Sequence, residues 1–245
     1  FDKTVEQDNE RKRILENQNE KLEQMVTVRT NEVNRQKTEI ELKNSDILDT
    51  LQHAKRMQEA ILPEITLIYQ TLNDSFIIYL RKDIVSGDFY SFSQKNDKVI
   101  IAAADCTGHG VTGAFMSMIG TSVLNQIINE NGVTEPAQIL KNLNAGIIDA
   151  LKQSEGEKEI HDGMDIALCS LDLKNSTLKY AGANRPLWIF KNGEMTMIKP
   201  AKSAIGGYQS ARKEEFSQHE IPVSKGDTIY LFTDGYADQF GGPEG

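Results

Sequence analysis

Residues 1–60 contain neither glycine nor proline, and from Val26 an apolar side chain returns at every seventh position: Val26, Val33, Ile40, Ile47, Ala54 and Ile61. An apolar residue at that spacing is the seam of a helix wound against another helix, because 3.5 residues per turn keeps the seam facing its partner. With these residues at heptad position a, position d holds Leu22, Arg29, Gln36, Lys43, Thr50 and Met57. One rail of the seam is apolar and the other mostly polar. Leu15 keeps the d phase further back, while Lys12 and Asn19 fall at a. From Leu15 to Ala60 such a helix would run about 70 Å. It cannot bury its stripe alone, so the pattern predicts a parallel two-stranded coiled coil and a homodimer. Polar d layers make a weak seam, which suits a signalling linker switched between packings or a passive dimerisation stalk. His53, in L-Q-H-A-K-R-M, reads as a solvated helix histidine rather than a phosphoacceptor. No acid follows it directly, and no ATP-binding glycine box lies downstream.

Pro63 ends the helix, since the residue before a proline is biased away from helical geometry. The chain turns apolar and β-branched from Glu64, which divides it into a linker helix over 1–60 and a globular domain over 61–245. Hydrophobic residues make up 39% of the 245, enough for a core. A net charge of −9 argues against nucleic acid or an anionic membrane as partner. Cys106 and Cys169 both sit in apolar runs and suggest no disulfide framework. The expected setting is therefore reducing and cytoplasmic, including the cytoplasmic part of a larger membrane-linked sensor. No apolar run is expected to span a membrane. The chain begins at Phe1 rather than Met and so reads as a fragment.

Within the domain the patterning predicts strands at Phe76–Leu80, Met164–Leu173, Thr177–Gly182, Leu187–Phe190, Met195–Ile198, Glu215–Ile221 and Thr228–Thr233. Asn192-Gly193 is a hairpin signal. Helices are predicted over Val111–Ile128 and from Thr134, acting as cap, to about Lys152, with Pro136 in the first turn. Ser154 to His161 reads as a polar loop, and Pro200 to Lys213 as a less ordered stretch.

Chemistry concentrates in I-A-A-A-D-C-T-G-H-G-V-T-G, Ile101 to Gly113, a buried strand that ends in Asp105 and drops into a glycine-rich turn. Upstream, V-S-G-D-F-Y-S-F-S carries Asp88. If Asn96 and Asp97 are the central residues of a tight hairpin, Phe92 faces Ile101, Tyr90 faces Ala103 and Asp88 faces Asp105. Two carboxylates that close repel each other unless something positive sits between them. The run I-Y-L-F-T repeats the logic, ending in Asp234-Gly235. Three carboxylates at strand ends, with no histidine or cysteine at ligand spacing, favour Mg²⁺ or Mn²⁺ over zinc. Two such ions acidify an attacking water and neutralise phosphoryl oxygens.

The motifs V-S-G-D-F-Y at 85–90, A-D-C-T-G-H-G-V at 104–111 and L-F-T-D-G at 231–235, with the weaker A-G-A-N-R-P-L at 181–187, resemble the SpoIIE-like branch of the PPM metal-dependent serine/threonine phosphatases. L-Q-H-A-K-R-M-Q-E-A-I-L-P looks like the linker helix entering such domains. The resemblance implies an α+β fold, an α-β-β-α sandwich with metals at one end of its sheets. It implies that Asp105 bridges two metals, the Cys106 carbonyl adds a ligand, Asp88 binds the second metal and Asp234 the first. A bridging water would attack phosphorus in line, and His109 would either protonate the leaving oxygen or simply cap the turn. The implied substrate is a phosphorylated regulatory protein, by analogy an anti-sigma-factor antagonist of the STAS type.

Two departures stand out. Ala183 replaces the family's turn histidine, and the family's C-terminal acid would lie beyond Gly245. After Asp234 only Asp238 and Glu244 carry carboxylates, and neither is a ready substitute. The sequence thus predicts an incomplete first metal site and loose packing after Asp234. Asp162 and Asp165 read as turn or rim residues. A catalytically silent dimeric scaffold that binds a regulatory partner stays open as an alternative, distinguished by phosphate release with and without Mn²⁺.

Overall fold

The structure is a computed structural model that describes residues 2–153, 162–207, 215–238 and 241. The predicted polar loop 154–161, residues 208–213 of the predicted less ordered stretch, and Glu244 lie outside the described residues. The chain divides into two units, Phe1–Gln52 and His53–Gly245.

The first unit is helix. Helix α1 runs unbroken over Asp2–Ile61, 60 residues, as expected of a stretch without helix breakers. Its exposed face is stitched by pairs one turn apart, Lys43 to Glu39 at 2.7 Å and Arg29 to Glu32 at 3.1 Å. Arg29 and Lys43, both at predicted d positions, thus find partners on their own helix. The seam residues Val26, Val33, Ile40 and Ile47 are all exposed.

The second unit begins within the last turns of α1, eight residues before the boundary at residue 60. His53 is a surface residue, its Nδ1 3.3 Å from Arg56. A short helix, α2, follows over Ile65–Thr71. The hairpin then forms as the turn arithmetic requires. Strands β1 (Phe89–Lys95) and β2 (Lys98–Cys106) pair Phe92 with Ile101 and Tyr90 with Ala103 around a left-handed Asn96 at φ 56°. Helix α3 (Gly110–Asn125) continues through a π-helical turn, Gln126–Glu130, and α4 covers Pro136–Ala150. Thr134 is not the cap of α4. Glu135 takes that position, and the Thr134 hydroxyl accepts a hydrogen bond from Lys98 instead.

Strands β3 (Gly163–Asp172), β4 (Thr177–Ala183), β5 (Leu187–Lys191), β6 (Glu194–Ile198), β7 (Ile205–Gly206), β8 (His219–Pro222) and β9 (Thr228–Tyr230) complete the fold. They form two antiparallel sheets, β1-β2-β3-β4-β8 with β7 beside β3, and β6-β5-β9. The predicted strand at Phe76–Leu80 is absent. Phe76, Ile78 and Leu80 alternate outward into solvent and make no ladder. The predicted strands at 215–221 and 228–233 are shorter than expected, four and three residues.

Alternation of side chains sorts the core into layers. Ile100, Ala102, Ala104, Ile166 and Leu168 point toward α3 and α4, where Ile139, Leu140, Leu143 and Ile147 form a fully buried stripe. Each such side chain contributes about 2 kcal/mol on burial. Ala167, Cys169, Leu178 and Tyr180 point the other way, onto Leu187 and Ile189 of the second sheet. Described residues thus supply helix, sheet and sheet of the expected sandwich. By length and composition Gly110–Glu130 could cross a membrane, contrary to the sequence reading. Its buried residues, Met116, Leu124, Ile127 and Ile128 among them, pack in this core.

Candidate functional site

The carboxylates gather where β2 ends and β3 begins, on the face between the two sheets. Asp105 is the penultimate residue of β2, and strand register sets it opposite Asp165 of β3. Asp88 falls just outside β1, whose ladder stops at Phe89 paired with Ala104, so it is not a true cross-strand partner of Asp105. It nevertheless stays within hydrogen-bonding reach of Asp105. Its backbone is pinned, because the Asp88 N–H donates to the Ser86 hydroxyl at 3.1 Å and the Tyr79 hydroxyl donates to its carbonyl at 2.9 Å. Its carboxylate accepts a 2.6 Å bond from the Thr233 hydroxyl. Asp234 begins a short 3₁₀ turn, Asp234–Tyr236, after the second sheet.

One cation ties the group together. Arg185, from the turn after β4, donates through one guanidinium nitrogen to Asp105 at 2.5 Å and to Asp234 at 2.6 Å, and lies 3.9 Å from Asp165. It joins Asp105 to Asp234, not to Asp88, the pair for which the sequence called for a positive charge. The turn beneath it is fixed at four points. Asn184 takes φ 56° and bonds Asp165 through its side chain and Ala201 through its N–H. The Arg185 N–H donates to Ala183, and the Tyr180 hydroxyl donates to the Arg185 carbonyl at 2.6 Å.

The glycine turn explains how the loops pack so closely. Gly108 adopts φ 85°, a left-handed conformation that favours glycine. At Gly113 a Cβ would lie 2.6 Å from the Gly108 carbonyl and 2.8 Å from the Gly87 Cα. Only glycine lets the start of α3 seat against the Asp88 loop. From the other side Gln58, fully buried on the last turn of α1, clamps the same loop. Its amide donates to the Ser86 carbonyl at 2.6 Å and to the Ser117 hydroxyl at 2.8 Å, and accepts from the Ser86 N–H.

One guanidinium against several carboxylates leaves the group short of positive charge. Burial, then repulsion from Asp88, pushes Asp105 up to about 8, and Arg185 offsets only part of this. Partial burial would also raise Asp234, but hydrogen bonds from Arg185 and Asp105 outweigh it and hold that carboxyl below the usual range. An all-oxygen donor set with excess negative charge fits a hard divalent cation, and the guanidinium between Asp105 and Asp234 is a stand-in for one. Among the described residues no three acidic, histidine or cysteine side chains lie close enough to hold a metal as they stand. Holding a cation there would require Asp105 and Asp234 to give up their bonds to Arg185.

The other expected residues separate. The Cys106 carbonyl lies over Gly87, next to Asp88, where a Cβ on Gly87 would come within 3.2 Å of it. The Cys106 thiol is buried, and burial raises it well above its ordinary value. His109 occupies the residue before α3 without any side-chain capping bond, so the capping role is not realised. Its ring is exposed and 3.8 Å from Asp83. Asp162 accepts from the Thr107 hydroxyl at 3.0 Å and ties down the turn after β2. Asp238 only closes a backbone turn onto Asp234, and the neighbouring Tyr236 is 96% exposed. Sequence reading missed Asp165, Arg185 and Thr233 as members of the group. The one local signal was the arginine in A-G-A-N-R-P-L, quoted there only as part of a motif.

Known proteins resemble this chain in sequence and in fold. The family model for Stage II sporulation protein E (SpoIIE) matches residues 95–245. Phosphoserine phosphatase RsbU of Bacillus subtilis (strain 168) is 29% identical over 160 residues, 63% of this chain and 43% of that protein. The chain thus spans less than half the length of that curated relative. Among solved structures, the SiaA-PP2C domain of Pseudomonas aeruginosa is 33% identical at a TM-score of 0.72, covering 82% of this chain and 77% of that one. The RsbU and RsbW domains of Rv1364c from Mycobacterium tuberculosis are 22% identical at a TM-score of 0.51, covering 67% and 43%. The second likeness bears on the fold alone.

Proposed function

The chain belongs to the SpoIIE family, and from that premise we propose that it is a metal-dependent phosphatase acting on phosphoserine or phosphothreonine of a regulatory protein. The observation that carries the reading is the convergence of Asp88, Asp105 and Asp234 at one end of the sheets. A divalent cation, Mn²⁺ or Mg²⁺, when bound there supplies a more acidic water and neutralises phosphoryl charge. Asp105, with Asp88 and Asp234 on either side, is the carboxylate able to face two cations, and the Cys106 carbonyl is placed to add an oxygen. The exposed ring of His109 is free to serve a leaving serine oxygen.

The substrate of the STAS type is proposed by analogy with the family. Regulation is proposed to act through a homodimer of α1, supported by the seam Val26, Val33, Ile40 and Ile47 standing exposed along one helix. The test is phosphate release from a phosphoserine peptide with Mn²⁺, with chelator, and in Asp105→Asn. Turnover should require the metal and fall at least about a thousandfold in the variant, with the fold kept by circular dichroism. Full activity in chelator, or in Asp105→Asn, contradicts the assignment. A wild-type chain inert in excess Mn²⁺ leaves the scaffold reading.

A further inference from the structure

We propose that Arg185 is the phosphate-binding side chain of this site, a role that rests on the phosphatase reading above. Its guanidinium is a flat fork of donors, and the same fork geometry serves carboxylates and phosphate oxygens alike. In the structure one nitrogen of that fork is spent on Asp105 and Asp234, the two carboxylates that a divalent cation would also use. Once a cation takes those oxygens, the guanidinium loses its acceptors and is repelled by the ion that replaced it. It cannot retreat far. Its side chain is only 13% exposed, and the Ala183–Arg185 turn is fixed by the bonds from Asn184 and Tyr180.

A buried guanidinium freed of its carboxylates needs an anion in the same place. A phosphomonoester dianion approaching the carboxylate end supplies one. A further donor is already waiting, since the Arg185 Nε–H is buried without a hydrogen-bond partner among the described residues. Nε and one terminal nitrogen form one edge of the fork, the edge that grips two phosphoryl oxygens at once. The carboxylates hold the arginine in place, and the arginine in turn keeps mutually repelling carboxylates together.

The experiment uses the full chain with inorganic phosphate as the probe. Calorimetry gives Mn²⁺ affinity, then phosphate affinity of the Mn²⁺-loaded protein, and steady-state kinetics give KM and kcat for a phosphoserine peptide. In Arg185→Ala, phosphate affinity should fall and KM rise by about 10- to 100-fold, as for loss of a charge-assisted pair, while Mn²⁺ binds as tightly as in wild type or tighter. Arg185→Lys should restore part of the loss, because it returns the charge without the fork. Phosphate affinity unchanged in Arg185→Ala overturns the proposal. So does Mn²⁺ affinity falling together with phosphate, which would make Arg185 only a brace for the carboxylates. A wild-type protein that turns nothing over, yet binds phosphate through Arg185, refutes the phosphatase reading and leaves this one standing.

Discussion

Glu135 sits just ahead of α4 and collects donors from three directions: Lys179 at 2.9 Å, Lys98 at 3.0 Å and Gln218 at 2.9 Å. Partial burial would raise its carboxyl, but these bonds prevail and pull it down to about 2 from an ordinary 4.5. A depressed carboxyl stabilises the fold in full above its unfolded value and stops doing so as pH falls through its folded one. The contribution should therefore persist above about pH 5 and vanish between there and pH 2. With its side chain 42% exposed, the group is screened by solvent, and the effect should stay under about 1 kcal/mol. Urea denaturation of wild type and Glu135→Gln should differ by a constant amount at neutral pH and converge near pH 2; a gap that widens in acid would contradict this. The residue scale also marks the limit of reading from sequence. Asp105 and Asp234 were legible because each ends an apolar run, and Asp88 because it heads the aromatic strand of the hairpin. Asp165 and Arg185 were not, because β2 and β3 are joined through two helices and nothing local fixes their register. The carboxylate opposite Asp105 and the cation between the sheets follow only from that pairing.

At the scale of elements, the hairpin was readable to the residue because a two-residue turn leaves one register. Phe76–Leu80 is a continuous apolar run and makes no strand, since apolar character alone specifies neither register nor partner. The end of α1 was read as linker, yet Gln58 is buried and belongs to the globular unit. A polar residue among charged neighbours gives no sign that it will be swallowed. Replacing it tests the element. Gln58→Ala leaves the Ser86 carbonyl and Ser117 hydroxyl without their donor and should destabilise the unit by about 2–3 kcal/mol. The Asp88 loop would lose a clamp at the same time, so Mn²⁺ affinity should fall as well. A variant with wild-type stability would show that water replaces the amide at no cost.

For the whole molecule, the division into Phe1–Gln52 and His53–Gly245 makes a prediction about cooperativity. The second unit has its own buried core and should unfold in one step, independent of concentration. The first is a single helix whose apolar seam is exposed. Intrahelical pairs such as Lys43 with Glu39 are worth only a few tenths of a kcal/mol each, and most helical stability in proteins comes from packing an apolar face. If its order comes from the homodimer proposed above, its melting is tied to protein concentration. Circular dichroism at 222 nm should thus show two transitions, the earlier moving up by several degrees for each tenfold rise in concentration. Changing Arg29, Gln36 and Lys43 to Leu converts polar d layers to apolar ones. That should raise the first transition, leave the second in place and alter the phosphatase rate if the linker is a switch. A single transition that ignores concentration would mean that the helix draws its stability from the globular unit. Two transitions with an unchanged rate in the Leu variant would leave α1 a dimerising stalk.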